Sequence, residues 1–279
     1  MNPSSPSPLP HVYVFDLDGV VYRGAQVVPG AAEAIARLRA RTQPYPALVR
    51  YLTNNSMQTR AEYVAKLAGM GIAAAEDEIV TSSSATAAYI AQTFGTAGKV
   101  ALVVGGAGIR DELARIDVRV VRSDEAEAEN GAFDFLVVGL DRNFVYDTLL
   151  RAQQALFRGA RFIATNRDGQ FPVEGGRLTP GAGAMVAAIA ASADAEPVVI
   201  GKPETAGLQT ILTAANVSPI EAVMIGDRLD TDVWCGNRLG VPTVLVLTGI
   251  TDRAKAAEQV ARRPEWTPGA ILKTLHELR

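Results

Sequence analysis

A chain of 279 residues, 48% hydrophobic and 20% charged, has room for two domains and the composition of an ordinary globular protein. Its formal net charge of -3, with the two signs interspersed, argues against a nucleic-acid surface or a membrane-binding face. With one cysteine, Cys235, and two histidines, His11 and His276, there is no intrachain disulfide or cysteine-built zinc site, and almost no material for a Ser-His-Asp or Cys-His mechanism.

The opening stretch MNPSSPSPLP has no basic region followed by an apolar one, so it predicts a cytoplasmic protein whose residues 1–10 are disordered. The runs Val12–Phe15 and Leu48–Leu52 read as strands, with a helix opened by Pro29 between them. Thr59 and Glu62 form a capping box for a helix that carries Tyr63, Leu67 and Met70 on one face and ends at Gly69 and Gly71. Further strands are expected at Val100–Val104, Val118–Val121, Phe135–Val138 and Phe162–Ala164, separated in part by helices near Ile109–Ile116 and Val145–Phe157. Thr179-Pro180 reads as the N-cap and first residue of a helix that contains Met185, Val186 and Ile189. That helix, Gly181 to Ala193, is too short for the roughly 20 residues a bilayer demands. Strands at Pro197–Ile200, Ala222–Ile225 and Thr243–Leu247 complete an alternating pattern that predicts a parallel α/β sheet. Residues 83–179 hold enough strands and helices for a smaller inserted α/β domain, leaving 1–82 and 180–279 to form the other.

Four predicted strands end in polar groups: Asp16 and Asp18, Thr53 and Asn54, Lys202, and Asp227. Ligands of open α/β sheets bind beyond the carboxyl ends of the strands, so these groups are expected to converge. Period-two geometry would turn Asp16 and Asp18 to the same side. Carboxylates held close repel each other, and a hard divalent cation such as Mg²⁺ relieves that repulsion through oxygen ligands. The set suits phosphoryl transfer. Asp16 can attack phosphorus, and Asp18 can protonate the leaving oxygen and then activate water. Thr53 and the amides around Asn54 can bind phosphoryl oxygens, Lys202 can offset their charge, and Mg²⁺ can bridge through Asp16 and Asp227.

The motifs DLDGVVYRG (Asp16–Gly24), LTNNS (Leu52–Ser56), GKP (Gly201–Pro203) and IGDRLDTD (Ile225–Asp232) occur in this order. With VVGLDRNFVY, IATNRDGQFPVEGGRLTPGAGA and LVLTGI, they make the chain resemble the haloacid dehalogenase superfamily of phosphatases over nearly its whole length. The branch it resembles is NagD-like and p-nitrophenylphosphatase-like, with a class IIA cap. The resemblance implies a Rossmann-like core with residues 83–179 as the cap. It implies Asp16 as nucleophile and Asp18 as acid/base, with metal held by the Asp16 side chain, the Asp18 carbonyl and Asp227. Asp232 would act from behind these ligands or through water, Asp230 would be solvated or cap a helix, and Asn55 would bind phosphate or only shape its loop. Asn166, Arg167, Asp168 and Gln170, in the cap segment that matches the family, would touch the leaving group.

The expected partner is a small phosphorylated metabolite, such as a nucleotide, a sugar phosphate or phosphoglycolate. Which one stays open, as does oligomeric state, a homodimer included. Transfer to another hydroxyl by a phosphotransferase or mutase, and a non-catalytic sensor, are the alternatives to hydrolysis. Two cofactor readings fail on spacing. Gly106-x-Gly108 follows a strand, but a dinucleotide fingerprint needs a third glycine where Asp111 stands. Gly201-Lys202 is followed by Pro203 instead of the Ser/Thr of a P-loop.

Overall fold

The computed structural model describes residues 9–125, 131–172 and 178–278. Most of the predicted N-terminal lead, residues 1–8, lies outside them. The first elements are β1 (Val12–Phe15), a short ribbon of β2 (Tyr22–Arg23) and β3 (Gln26–Val27), α1 (Ala31–Ala40), β4 (Leu48–Thr53) and α2 (Arg60–Gly69). β5 (Ile79–Thr81), α3 (Ser82–Phe94), β6 (Val100–Val104), α4 (Ala107–Arg115), β7 (Arg119–Arg122), β8 (Phe135–Val138), α5 (Tyr146–Phe157) and β9 (Arg161–Ala164) follow. A second ribbon, β10 (Gln170–Pro172) with β11 (Leu178–Pro180), precedes α6 (Ala182–Ala193), β12 (Val198–Val199) and α7 (Ala206–Ala215). The chain closes with β13 (Ala222–Gly226), α8 (Trp234–Leu239), β14 (Thr243–Val246), α9 (Arg253–Arg262) and β15 (Ala270–Leu272).

The chain divides into two compact units. Unit 1 comprises Met1–Leu52, Leu67–Ala74 and Leu208–Arg279; unit 2 comprises Thr53–Lys66 and Ala75–Gly207. Unit 2 therefore takes in, besides the middle segment 83–179, residues 53–66, 75–82 and 180–207. Within unit 1 the strands lie in the order β15-β14-β13-β1-β4, all parallel. Val12–Phe15 is buried on both faces, which is why it reads as an unbroken apolar run and not as an alternation. Ala31, Ala34, Ile35 and Leu38 put one face of α1 into the core at helical spacing. Cys235 is buried in α8, a packing role in keeping with its Trp and Gly neighbours.

Unit 2 has its own parallel sheet in the order β12-β9-β8-β6-β7. Leu102 and Val104, Leu136 and Val138, and Phe162 and Ala164 belong to one cluster with Ala152 of α5 and Ile189 of α6. The period of two in the strands selects that face. Burial of each large side chain stabilises by about 1.5–3 kcal/mol.

Both units are α/β with parallel sheets, as the sequence predicts, and some local expectations shift. Thr179-Pro180 does not cap a helix: Pro180 pairs with Gln170 in the β10–β11 ribbon, and Gly181 is the N-cap of α6. Pro29 lies two residues ahead of α1, whose N-cap is Gly30 at φ 87°. β7 starts one residue later than expected, after Asp117 turns the chain at φ 59°. The capping box on α2 is present, with Thr59 N donating to Glu62 at 2.7 Å and Glu62 N to Thr59 Oγ1 at 3.2 Å.

Candidate active site

In unit 1 the site is built where β1 and β13, paired in register, both end. β1 stops at Phe15, so the period of two does not carry through to Asp18. Asp16 is buried, whereas Asp18 is exposed at the start of a turn that Gly19 makes at φ 84°. Beyond β13, Asp227 is buried, and the chain enters a widened turn, Leu229–Val233, closed by Val233 N donating to the Arg228 carbonyl at 3.2 Å. An i to i+5 turn of this kind is rare and frequently marks a functional site. It swings Asp232 back toward the strand end. Gly226 makes the return possible, because a Cβ there would lie 2.1 Å from the Cβ of Asp232.

The result is a triad of carboxylates. One oxygen from each of Asp16, Asp227 and Asp232 lies within 4.8 Å of the other two. Their relative exposures are 8%, 3% and 1%. At an effective dielectric of about 20, two full negative charges at that spacing repel by roughly 3.5 kcal/mol. Repulsion of this size favours a positive charge among them, or a proton on one carboxylate. The donor set is all oxygen, buried and converging, and it fits a hard divalent cation. Asp232 thus offers an oxygen to the cluster, and one of its oxygens also accepts from Arg228 N at 3.1 Å. Asp230 turns away and pairs with Arg228 at 2.7 Å in a half-exposed position, in keeping with a solvated role.

Asp227 is held by a loop that motif reasoning did not assign to the site. Ile250 N donates to Asp227 Oδ2 at 2.9 Å, and Thr248 Oγ1 donates to the Gly19 carbonyl at 2.8 Å. Gly19 and Gly249 cradle the carboxylate, for a Cβ on either would fall 2.6 Å and 1.7 Å from Asp227 Oδ2. The sequence signal was LVLTGI, a run that resembled the family but suggested no contact.

Unit 2 carries the other polar strand ends. Thr53 and Lys202 are both buried. Thr53 Oγ1 accepts from Asn55 N at 3.1 Å, and Asn55 Oδ1 accepts from Met57 N at 2.9 Å, so the Asn55 side chain shapes the loop. The Asn54 carboxamide is already engaged: Nδ2 donates to Asp168 Oδ2 at 3.0 Å and to the Lys202 carbonyl at 2.9 Å. Of the expected leaving-group contacts, Asn166 is buried and donates to the Asn54 carbonyl at 2.7 Å. Arg167 forms an exposed ion pair with Glu196, and Gln170 sits exposed on the β10–β11 ribbon.

A cavity of about 320 Å³ opens elsewhere in unit 2, beyond the carboxyl ends of β6, β7 and β8. Met57, Arg110, Arg122 and Arg142 line it, and sequence reasoning singled out none of them. Arg122 pairs with Asp124, and this hydrogen bond holds the Asp124 carboxyl below the usual range. The glycines of the rejected dinucleotide motif serve packing. Gly108 N donates to the Met57 carbonyl at 3.0 Å, and a Cβ on Gly108 would lie 2.3 Å from the Gln58 carbonyl oxygen.

Residues 13–119 match the haloacid dehalogenase-like hydrolase family, and residues 199–278 match the HAD-hydrolase-like family. The chain is 35% identical over 266 residues to an acid sugar phosphatase of Staphylococcus saprophyticus, covering 95% of this chain and 97% of the relative. It belongs to the haloacid dehalogenase-like hydrolases. Within them it falls in the NagD-like, p-nitrophenylphosphatase-like branch. The p-nitrophenyl phosphatase of Archaeoglobus fulgidus superposes with a TM-score of 0.85 at 30% identity, over 97% of this chain and 98% of that one. The glycerol phosphate phosphatase Rv1692 of Mycobacterium tuberculosis, solved in complex with magnesium, has the same TM-score and identity over 98% of this chain and 77% of that one. In this hydrolase Asp16 of motif I and Asp227 and Asp232 of motif IV are the carboxylates brought within 4.8 Å.

Proposed function

We propose that this hydrolase is a Mg²⁺-dependent phosphatase that cleaves small phosphate monoesters through a phosphoaspartate on Asp16. The observation that carries the reading is the buried triad of Asp16, Asp227 and Asp232 beyond two parallel strands. A bound Mg²⁺ would neutralise the triad and polarise the phosphoryl group, removing the repulsion between the nucleophile and its dianionic target. Asp16, the Asp18 carbonyl, Asp227 and Asp232 would hold it.

The chain's own groups do the rest. An Asp16 carboxylate oxygen attacks phosphorus as the bond from phosphorus to the ester oxygen breaks, and Asp18 gives its proton to the departing oxygen. A water then attacks the phosphorus of the acyl phosphate, Asp18 takes its proton back, and inorganic phosphate leaves with Asp16 restored as a carboxylate. An exposed Asp18 suits this part, since it must meet both leaving group and water. The Thr53 hydroxyl, the backbone amides at Asn54 and Asn55, and the Lys202 ammonium bind phosphoryl oxygens.

The names of the relatives, an acid sugar phosphatase, a glycerol phosphate phosphatase and a p-nitrophenyl phosphatase, support phosphate monoesters with small leaving groups. The unit 2 cavity, at about 320 Å³, is at the small end of ligand sites, which run about 300–1,000 Å³. p-Nitrophenyl phosphate and glycerol phosphate assayed with Mg²⁺ test the reading. Alcohol and inorganic phosphate should appear in equal amounts, chelator should stop both, and Asp16→Asn should lose at least roughly 10³-fold in kcat. Turnover by Asp16→Asn near the wild-type rate refutes the nucleophile, and alcohol in excess of phosphate points to transfer.

A further inference from the structure

Thr53–Asn55 and Lys202 come from segments some 150 residues apart, yet the proposed chemistry needs them at a fixed separation. Asn54 connects them. Both protons of its amide are used, one on the Asp168 carboxylate and one on the Lys202 carbonyl. A carbonyl can only accept, and an ionised carboxylate likewise, so the amide nitrogen and not its oxygen must face these two groups. The Asn54 carbonyl in turn accepts from Asn166 Nδ2 and from Ser82 Oγ, each at 2.7 Å. Gly201 makes room for this junction, because a Cβ there would lie 2.7 Å from Asn54 Oδ1.

Asp168 is itself held firmly. Its N–H donates to Asn166 Oδ1 at 3.0 Å, and its carbonyl accepts from Gly183 N at 2.9 Å. Gly181 and Gly183, at the start of α6, lie so close to the 167–168 backbone that a Cβ on Gly181 would fall 2.1 Å from the Asp168 carbonyl oxygen. This close approach accounts for the locally biased GAGA run. A twelve-residue helix thereby presents one carboxylate to one asparagine.

We infer that Asp168 is a positioning residue that, by fixing the Asn54 carboxamide, sets the Thr53–Asn55 loop and Lys202 at the separation that phosphoryl binding needs. The inference rests on the phosphatase reading and moves Asp168 from the leaving-group side of the substrate to the phosphoryl side. Without Asp168 the Asn54 amide keeps only its bond to the Lys202 carbonyl and is free to rotate, which loosens the tie between the loop and Lys202. The loss falls on the part common to all substrates.

The test compares Asp168→Ala, Asp168→Asn, Asn54→Ala and the Asn54→Ala/Asp168→Ala double variant in the full chain. Initial rates are measured on p-nitrophenyl phosphate, glycerol phosphate and a hexose phosphate, with wild type and Asp16→Asn as references. Asp168→Ala should lower kcat/KM by roughly tenfold to hundredfold, by the same factor on all three esters. Asp168→Asn, which keeps an acceptor oxygen, should retain most activity, and the double variant should be no worse than the poorer single one. A reordering of the three substrates by Asp168→Ala would return Asp168 to the leaving group. Additive losses in the double variant, or Asp168→Asn as poor as Asp168→Ala, would also overturn the strut. Should Asp168→Ala fail to fold, the asparagine and Asn54→Ala variants decide by the same comparison. A wild type with no release dependent on Asp16 defeats the phosphatase reading and the strut together, whereas an active wild type matched by Asp168→Ala defeats the strut alone.

Discussion

Adding one methyl group at Gly249 should weaken metal binding, although no proposed ligand is replaced. The Cβ of Gly249→Ala would stand 1.7 Å from Asp227 Oδ2, 2.2 Å from its Cγ and 2.3 Å from its Cβ. The shortest of these is roughly half the ordinary contact distance of about 3.5 Å. Neither side can yield cheaply: Asp227 is 3% exposed, and its Oδ2 is fixed by the 2.9 Å bond from Ile250 N. Overpacking of a filled site costs about 1–3 kcal/mol, and losing a hydrogen bond to a charged acceptor costs about 1.5–3 kcal/mol. Together these come to about 2.5–6 kcal/mol, and at about 2–4 °C per kcal/mol for a chain of this size Tm should fall by roughly 5–25 °C. Partners that orient metal ligands are worth about 10–100-fold in affinity, so the half-saturating Mg²⁺ concentration should rise at least roughly tenfold. p-Nitrophenyl phosphate turnover across a Mg²⁺ titration reads the metal, and thermal melting with and without Mg²⁺ reads the fold. Gly69→Ala is the control, because nothing lies within 4 Å of its Cβ and alanine favours the helix. A Gly249→Ala protein with the wild-type Mg²⁺ requirement would refute the cradle.

Two further perturbations separate neighbouring explanations. Asp232→Asn should raise the Mg²⁺ requirement by roughly tenfold or more, because its carboxylate stands in the cluster with Asp16 and Asp227. An unchanged requirement with slower turnover would instead put Asp232 behind the ligands. The third concerns unit 2. Burial pushes the Asp134 carboxyl up, but hydrogen bonds from Lys99 and Val100 N outweigh it, and the net shift is downward. A carboxyl with a depressed folded pKa contributes stability above its unfolded pKa of about 3.9, and loses it as pH falls through the lower folded value. Asp134→Ala should therefore melt a few degrees below wild type at pH 7, with the gap closing below about pH 4. A gap that stays constant down to pH 3 would assign the effect to packing.

Much of this architecture was legible because its strands are apolar on both faces and its helices show one buried stripe. Val12–Phe15, Val100–Val104 and Phe135–Val138 fall at the predicted residues. What escaped depends on contacts made far along the chain. Thr179-Pro180 satisfies every local rule for a helix start, yet α6 begins only where Gly181 and Gly183 let the 167–168 backbone approach. Asp232 follows Asp227 by five residues, a spacing that in an α-helix would place it on a different face. Only the widened turn closed by Val233 N, with the missing Cβ of Gly226, brings it back.

The role of Asn54 was hidden for the same reason. Residue type and strand-end position marked it as a polar group at a phosphate loop, and its proton count allowed it to bind a ligand. Its two partners lie 114 and 148 residues away, and no local pattern announces them. A side-chain amide with both protons satisfied inside the protein has none left for a phosphoryl oxygen, so what Asn54 can still offer is its backbone N–H. This sorts the motif residues by physical role. Asp16, Asp227 and Asp232 bring three buried carboxylates within 4.8 Å of one another, a donor set that suits a divalent cation, whereas the side chains of Asn54, Asn55, Asn166 and Asp168 tie loops of the fold together. The proposed chemistry falls on the first group, and the second holds loops around it.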